Sequence, residues 1–153
     1  MANNPTTRAQ QWARFLETKG WLSSTALPGV VGTVSQAAGV PTGSVVERGS
    51  NTNGEFIKFA DGTMICWKSA LTGLPVTEAV GTGGVFRSDV ITWTYPVAFI
   101  AAATVTGTVS AGATSFWANG NFTSVSNCAA RLYAGISSAA GTAVNFVAIG
   151  RWF

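Results

Sequence analysis

The feature that most constrains this chain is a hairpin signal: Glu55-Phe56-Ile57-Lys58-Phe59-Ala60, then Asp61-Gly62, then Thr63-Met64-Ile65-Cys66-Trp67-Lys68. Asp-Gly between two apolar-rich runs suits a type I′ turn, whose central residues both need positive φ. A two-residue loop sets the register. It predicts Ala60 opposite Thr63, Phe59 opposite Met64, Ile57 opposite Cys66, Phe56 opposite Trp67 and Glu55 opposite Lys68. The last two are an aromatic pair and an opposite-charge pair, each worth about 0.2–1 kcal/mol over an alanine pair. On this register Met64 and Cys66 share a face with Phe59, which suits a buried free thiol. A disulfide to Cys128 is the alternative, although an aromatic-rich core of this size needs no staple.

The rest of the chain beyond Val45 also reads as short strands. Val45-Val46-Glu47-Arg48 is a first strand, followed by a loop over Ser50–Gly54. Leu71–Gly84 reads as a Gly/Thr loop and Val85-Phe86 as a short strand. Ile91, Trp93 and Tyr95 alternate onto one face, and Pro96 ends that strand. Thr104, Thr106 and Thr108 alternate with Val105, Gly107 and Val109, and further strands are expected in Ser115–Thr123, Ala129–Gly135 and Ala143–Phe153. Short strands at near-regular spacing predict an all-β chain with an antiparallel β-sandwich head over residues 45–153. Trp93 and Trp152, in alternating segments, are expected in its core.

Ahead of the head the pattern changes. Residues 1–22 predict a helix: Thr7 can cap it, Gln10 completes a capping box, and Lys19-Gly20 ends it. Trp12, Phe15 and Leu16 form one apolar stripe, continued by Trp21. A helix this short is marginal in water, so that stripe must dock, either on its own domain or as an anchor on a larger particle. Residues 23–44 are small and polar, with Pro28, Pro41 and several glycines, and read as an extended linker or shaft.

Four segments carry a family resemblance: Gly39-Val40-Pro41-Thr42-Gly43-Ser44-Val45-Val46-Glu47-Arg48-Gly49-Ser50-Asn51, the hairpin, Trp93-Thr94-Tyr95-Pro96-Val97-Ala98-Phe99, and Ala148-Ile149-Gly150-Arg151-Trp152-Phe153. In this order the chain resembles the C-terminal receptor-binding domain of tailed-bacteriophage tail fibres and related virion or gene-transfer-agent fibres and spikes. Residues 1–38 carry no such likeness. The resemblance implies a compact β head at a fibre tip, a homotrimer, exposed on a virion and touching a cell-surface receptor. It also implies attachment of residues 1–22 to a tail, baseplate or capsid protein. Whether the fibre stands on a tail or on a head stays open.

The chemistry on offer fits binding better than catalysis. The chain has no histidine, so a Ser-His-Asp triad, a Cys-His dyad and histidine metal sites are ruled out. Its six carboxylates are scattered, and Glu78 with Asp89 is the one pair left for glycoside chemistry, which needs two carboxyls at a set spacing. Gly81-Thr82-Gly83-Gly84 lacks the Lys-Ser/Thr of a phosphate loop. Nine basic residues lie singly, without the clusters that track nucleic acid. No apolar run is long enough to insert in a membrane, and the first residues lack the apolar core of a signal peptide. At 10% charged residues against a usual quarter or so, the surface suits a component of a large assembly. No enzymatic activity, cofactor or metal is expected.

What remains is aromatic surface. Trp117, Asn119 and Asn121 lie around an expected Asn119-Gly120 turn, and Tyr133 lies on a later strand. Such rings can stack on a sugar while amides bond its hydroxyls; the same rings also fill subunit interfaces. The expected function is a virion fibre or spike that binds a host surface glycan. A capsid decoration protein without a receptor is the second reading and a hydrolase the third.

Overall fold

The computed structural model describes residues 30–72, 74–109 and 116–153. The expected helix, with Trp12, Phe15, Leu16 and Trp21, lies outside them. Among the described residues the chain is all-β, as the strand pattern predicts. In chain order the strands are β1 (Gln36–Ala37), β2 (Val40–Pro41), β3 (Val46–Asn51), β4 (Gly54–Phe59), β5 (Thr63–Leu71) and β6 (Val76–Val80). They continue with β7 (Val85–Ser88), β8 (Ile91–Thr94), β9 (Thr104–Val109), β10 (Phe116–Thr123), β11 (Asn127–Ala134) and β12 (Val144–Arg151).

Two five-stranded antiparallel sheets share one core. The first has the order β3-β4-β5-β12-β9; the second runs β10-β11-β7-β6, with β8 also paired to β11. Strict alternation drives the packing. Cys128, Ala130, Leu132 and Ala134 of β11 point inward against Met64 and Cys66 of β5 and Val144, Phe146 and Ala148 of β12. Ile91, Trp93 and Tyr95 join them, as their period predicts. Trp152 is only partly buried, packed on the core's edge, where its indole N–H donates to the Phe59 carbonyl at 2.9 Å. Both cysteines are buried and unbonded, and burial pushes the Cys66 thiol up to about 11.

The hairpin forms, but its register is one residue away from the expected one. Glu55 faces Trp67, Phe56 faces Cys66, Ile57 faces Ile65 and Lys58 faces Met64. The connection is the three-residue loop Ala60-Asp61-Gly62. Gly62 carries a positive φ of 92° and its N–H bonds the Phe59 carbonyl, while Asp61 Oδ1 accepts from the Thr63 N–H at 2.8 Å. A one-residue slip turns side chains to the opposite face. Phe56, not Phe59, therefore shares the inner face with Met64 and Cys66, and Glu55 meets Trp67 and Arg48 rather than Lys68.

Three further segments depart from the sequence reading. The expected Ser50–Gly54 loop is a tight turn, because Asn51 pairs directly with Gly54 across Thr52-Asn53. The expected Leu71–Gly84 loop contains β6, which pairs with β7 across Gly81–Gly84; β6 shows only Val76 buried and so lacks an alternating apolar signature. The expected Asn119-Gly120 turn lies inside β10. In the described part of the expected linker, β1 and β2 form a small hairpin. Beside it, Val30–Gly32 hydrogen-bonds along Val46, and Val34 is buried.

Gly54 is where this architecture is most exacting. Its φ is 137°, and a Cβ there would sit 2.3 Å from the Trp67 carbonyl oxygen. Gly81 has a φ of 64° and nothing within 4 Å. A Gly54→Ala variant is expected to lose about 3 kcal/mol or more in urea denaturation, from a near-forbidden backbone plus the clash. Gly81→Ala should lose only about 1 kcal/mol; equal losses would show that the close approach is unimportant.

Candidate functional site

The outer face of the second sheet brings together residues from four strands. Because β10 and β11 pair with Trp117 opposite Tyr133, the two rings lie side by side, with centroids 5.9 Å apart and planes 14° from parallel. On the other side of β11, Tyr133 faces Arg87 of β7, and Arg87 faces Glu78 of β6. The result is one row across the sheet: Trp117, Tyr133, Arg87, Glu78. Trp117 is 45% exposed.

A second guanidinium is fixed beside that row. Arg131 lies two residues before Tyr133 on the same face, opposite Asn119. Its Nη1 donates to the Ser88 carbonyl at 2.6 Å and lies 3.8 Å from Glu78 Oε2. Ser88 is 1% exposed and closes a gap in the ladder, since β7 pairs with β11 only at Arg87 and Phe86, and β8 only from Ile91 onward. Its hydroxyl accepts from the Leu132 N–H at 3.0 Å and donates to the Asp89 carbonyl. A buried amide is thereby satisfied, and Arg131 is anchored.

Glu78 is ion-paired with both Arg87 and Arg131, and Asp89 adds a second negative charge acting on Arg87. The Arg87 hydrogen bond holds the Glu78 carboxyl below its usual range, and the same bond raises the guanidinium. Arg87 Nε is buried without a hydrogen-bond partner among the described residues. Among the described residues no group of His, Cys, Asp and Glu could hold a metal ion.

Of the four expected contact residues, the fold joins Trp117 and Tyr133 directly. Asn119 occupies the neighbouring register position, opposite Arg131. Asn121 falls at the β-bulge between Gly120 and Phe122, where the pairing shifts. Arg87 and Arg131 were missed, and Glu78 was noted only as a carboxylate. The sequence signal for them was a second hairpin: Val76–Val80 and Val85–Ser88 around Gly81–Gly84 put Glu78 opposite Arg87. Glu78, named with Asp89 as the one carboxylate pair left for glycoside chemistry, is ion-paired with the two arginines.

No known family's sequence profile matches the chain, and no curated protein matches it. Two solved structures resemble it. One is a P. aeruginosa R1 pyocin fibre comprising C-terminal residues 323–701, with 20% identity over 69% of this chain and a TM-score of 0.45. This chain spans only 28% of that one. The other is an N-truncated R1-type pyocin tail fibre, with 19% identity, coverage of 97% of this chain and 99% of the other, and a TM-score of 0.47.

The Glu78 pairing has a defined pH signature. A carboxylate with a depressed folded pKa stabilises above its unfolded value of about 4.3, and that contribution is lost as pH falls through the folded value. Glu78→Gln is therefore expected to be less stable than the parent at neutral pH, with the gap closing in acid. Urea melts across that range check it; a gap independent of pH would remove the ion pair as its cause.

Proposed function

We propose that this chain is a non-catalytic fibre or spike head of a phage-like particle, which adheres to a host cell surface through glycan. The observation that carries the reading is the aligned Trp117–Tyr133 pair beside Arg87 and Arg131. A sugar ring offers C–H groups to an aromatic surface and hydroxyl oxygens to guanidinium donors, and this face supplies both. The virion setting rests on the four-segment resemblance to tail-fibre C-terminal domains. Attachment to a tail, baseplate or capsid protein through residues 1–22, with Trp12, Phe15, Leu16 and Trp21 as the anchoring stripe, belongs to the same proposal.

Self-association into a homotrimer is part of it. Across the outer face of the first sheet, Ile57, Ile65 and Ile149 stand in one register row, and Ile149 is 48% exposed in a central strand. The row ends on Arg48 at one side and Thr104 at the other, and the three isoleucines between them are stabilised by burial against further copies of the chain. Three heads per fibre make adhesion multivalent, so weak single contacts add up through effective concentration.

Two measurements test this. Fluorescently labelled head should adsorb to host cells, and Trp117→Ala or Tyr133→Ala should lower adsorption roughly tenfold or more, because avidity multiplies the loss per head. Thr108→Ala, at the far end of the edge strand β9 of the other sheet, should leave it unchanged. If the intact head binds no host cell, the decoration-protein reading takes its place. Mass photometry should show trimers that fall to monomers in Ile149→Asp; a monomeric parent protein would end the trimer proposal.

A further inference from the structure

Among the described residues, the strands of the second sheet and the turns between them carry four charged side chains: Glu78, Arg87, Asp89 and Arg131. All four gather beside the aromatic pair. Arg87 stands between Tyr133 and Glu78 in the register row, and Arg131 lies two residues from Tyr133 on the same face. Glu78 is ion-paired with both guanidiniums, and Asp89 acts on Arg87 from the β7–β8 connection. Two positive and two negative groups cancel, so the face has no net charge at neutral pH.

The Glu78 carboxylate has further capacity. Each of its oxygens carries two lone pairs, and the arginines approach one oxygen each. Arg87 Nη2 donates to Oε1, and Arg131 Nη1 lies 3.8 Å from Oε2. The Glu78 side chain is still 49% exposed, whereas that of Arg131 is 20% exposed and tied to the Ser88 carbonyl. The most open member of the cluster is therefore an acceptor, with donors held beside it. A hydroxyl group suits this place, because it donates to a carboxylate and accepts from a guanidinium at once. A carboxylate, sulfate or phosphate offers acceptors only. It would meet arginines already neutralised and a carboxylate that repels it, so nothing offsets its desolvation.

Resting on the adhesion reading above, we propose that this face takes an uncharged glycan and that Glu78 selects it. Adjacent strands are about 4.8 Å apart, so the Glu78 backbone lies roughly 10 Å from that of Tyr133, two strand spacings away. One sugar ring on the Trp117–Tyr133 pair leaves the next linked unit beside Arg87 and Glu78, where its hydroxyls bridge the ion pair. Glu78 acts twice: it accepts from those hydroxyls, and it cancels the charge that would otherwise attract acidic polymers.

The test presents the full-length protein to an array of uncharged and uronate-bearing oligosaccharides, at low salt and at several times physiological salt. Every glycan that the parent binds should be uncharged. Binding should persist in high salt, since no ion pair with the ligand is there to be screened. Trp117→Ala should lose those signals. Glu78→Gln should bind alginate, a polyuronate, roughly fivefold more strongly than the parent, and high salt should abolish that gain. Glu78→Asp, which keeps the charge, should gain nothing. Selection by Glu78 is overturned if the parent prefers uronate-bearing glycans, if its binding collapses in high salt, or if Glu78→Gln, shown folded by its urea melt, gains no alginate. Each of those outcomes leaves glycan adhesion standing. A parent protein that binds no glycan at all ends both proposals.

Discussion

The indole of Trp93 lies between the two sheets, 2% exposed, stacked on Phe146 of β12 with centroids 5.7 Å apart and set edge-on to Tyr95 at 5.0 Å. Its N–H donates to the Asn53 carbonyl at 2.8 Å, so one side chain of the second sheet contacts a central strand of the first and the β3–β4 turn. A buried indole needs both parts of this arrangement: area removed from water and a partner for its one polar atom. Truncating such a ring costs on the order of 3–5 kcal/mol. Here the cost would spread, because the turn held at Asn53 also carries Gly54 and Glu55.

Two central strands organise the rest. The last strand, β12, is inserted between β5 and β9, and β11 lies between β10 on one edge and the two short strands β7 and β8 on the other. Neither can settle until distant segments have formed, so most of the ladder closes over long sequence separations. The chain end then seals the β4–β5 hairpin: the Trp152 N–H bonds the Gly62 carbonyl, and Arg151 Nη2 reaches the Asp61 carbonyl at 2.9 Å. With β3 paired to β4 and the Asn51 amide bound to the Pro96 carbonyl, all four resemblance segments meet in space, which gives their wording a packing reason apart from any receptor.

Legibility in the sequence followed the strength of the local signal. Ile91, Trp93 and Tyr95 were readable because alternation alone places them in the core. The register at Asp61-Gly62 was not, because the dipeptide serves a two-residue I′ loop or the end of a three-residue loop equally well; bonds to the distant Arg151 and Trp152 favour the second. Asn119-Gly120 looked like a turn, yet β11 offers a complete partner strand, and pairing overrides the local preference. At the candidate site, the residue types Trp117 and Tyr133 were visible, whereas their contact required knowing that β10 and β11 pair in that register. Arg87 and Glu78 were hidden because β6 is an edge strand, exposed at four of its five positions.

Strand alternation also explains why tryptophans remain outside a chain that buries Trp93. Trp67 and Trp117 occupy outward positions, and each is held by a cross-strand neighbour: Trp67 by the Glu55 carboxylate, Trp117 by the Tyr133 ring. An exposed aromatic ring free to rotate would lose about 0.5–1.5 kcal/mol of side-chain freedom when a ligand immobilised it. A ring already fixed by a neighbour has lost most of that freedom on folding, so more of the contact energy remains for binding. Under the adhesion we propose, this counts at each copy, because every small gain per head is multiplied by the number of heads engaged.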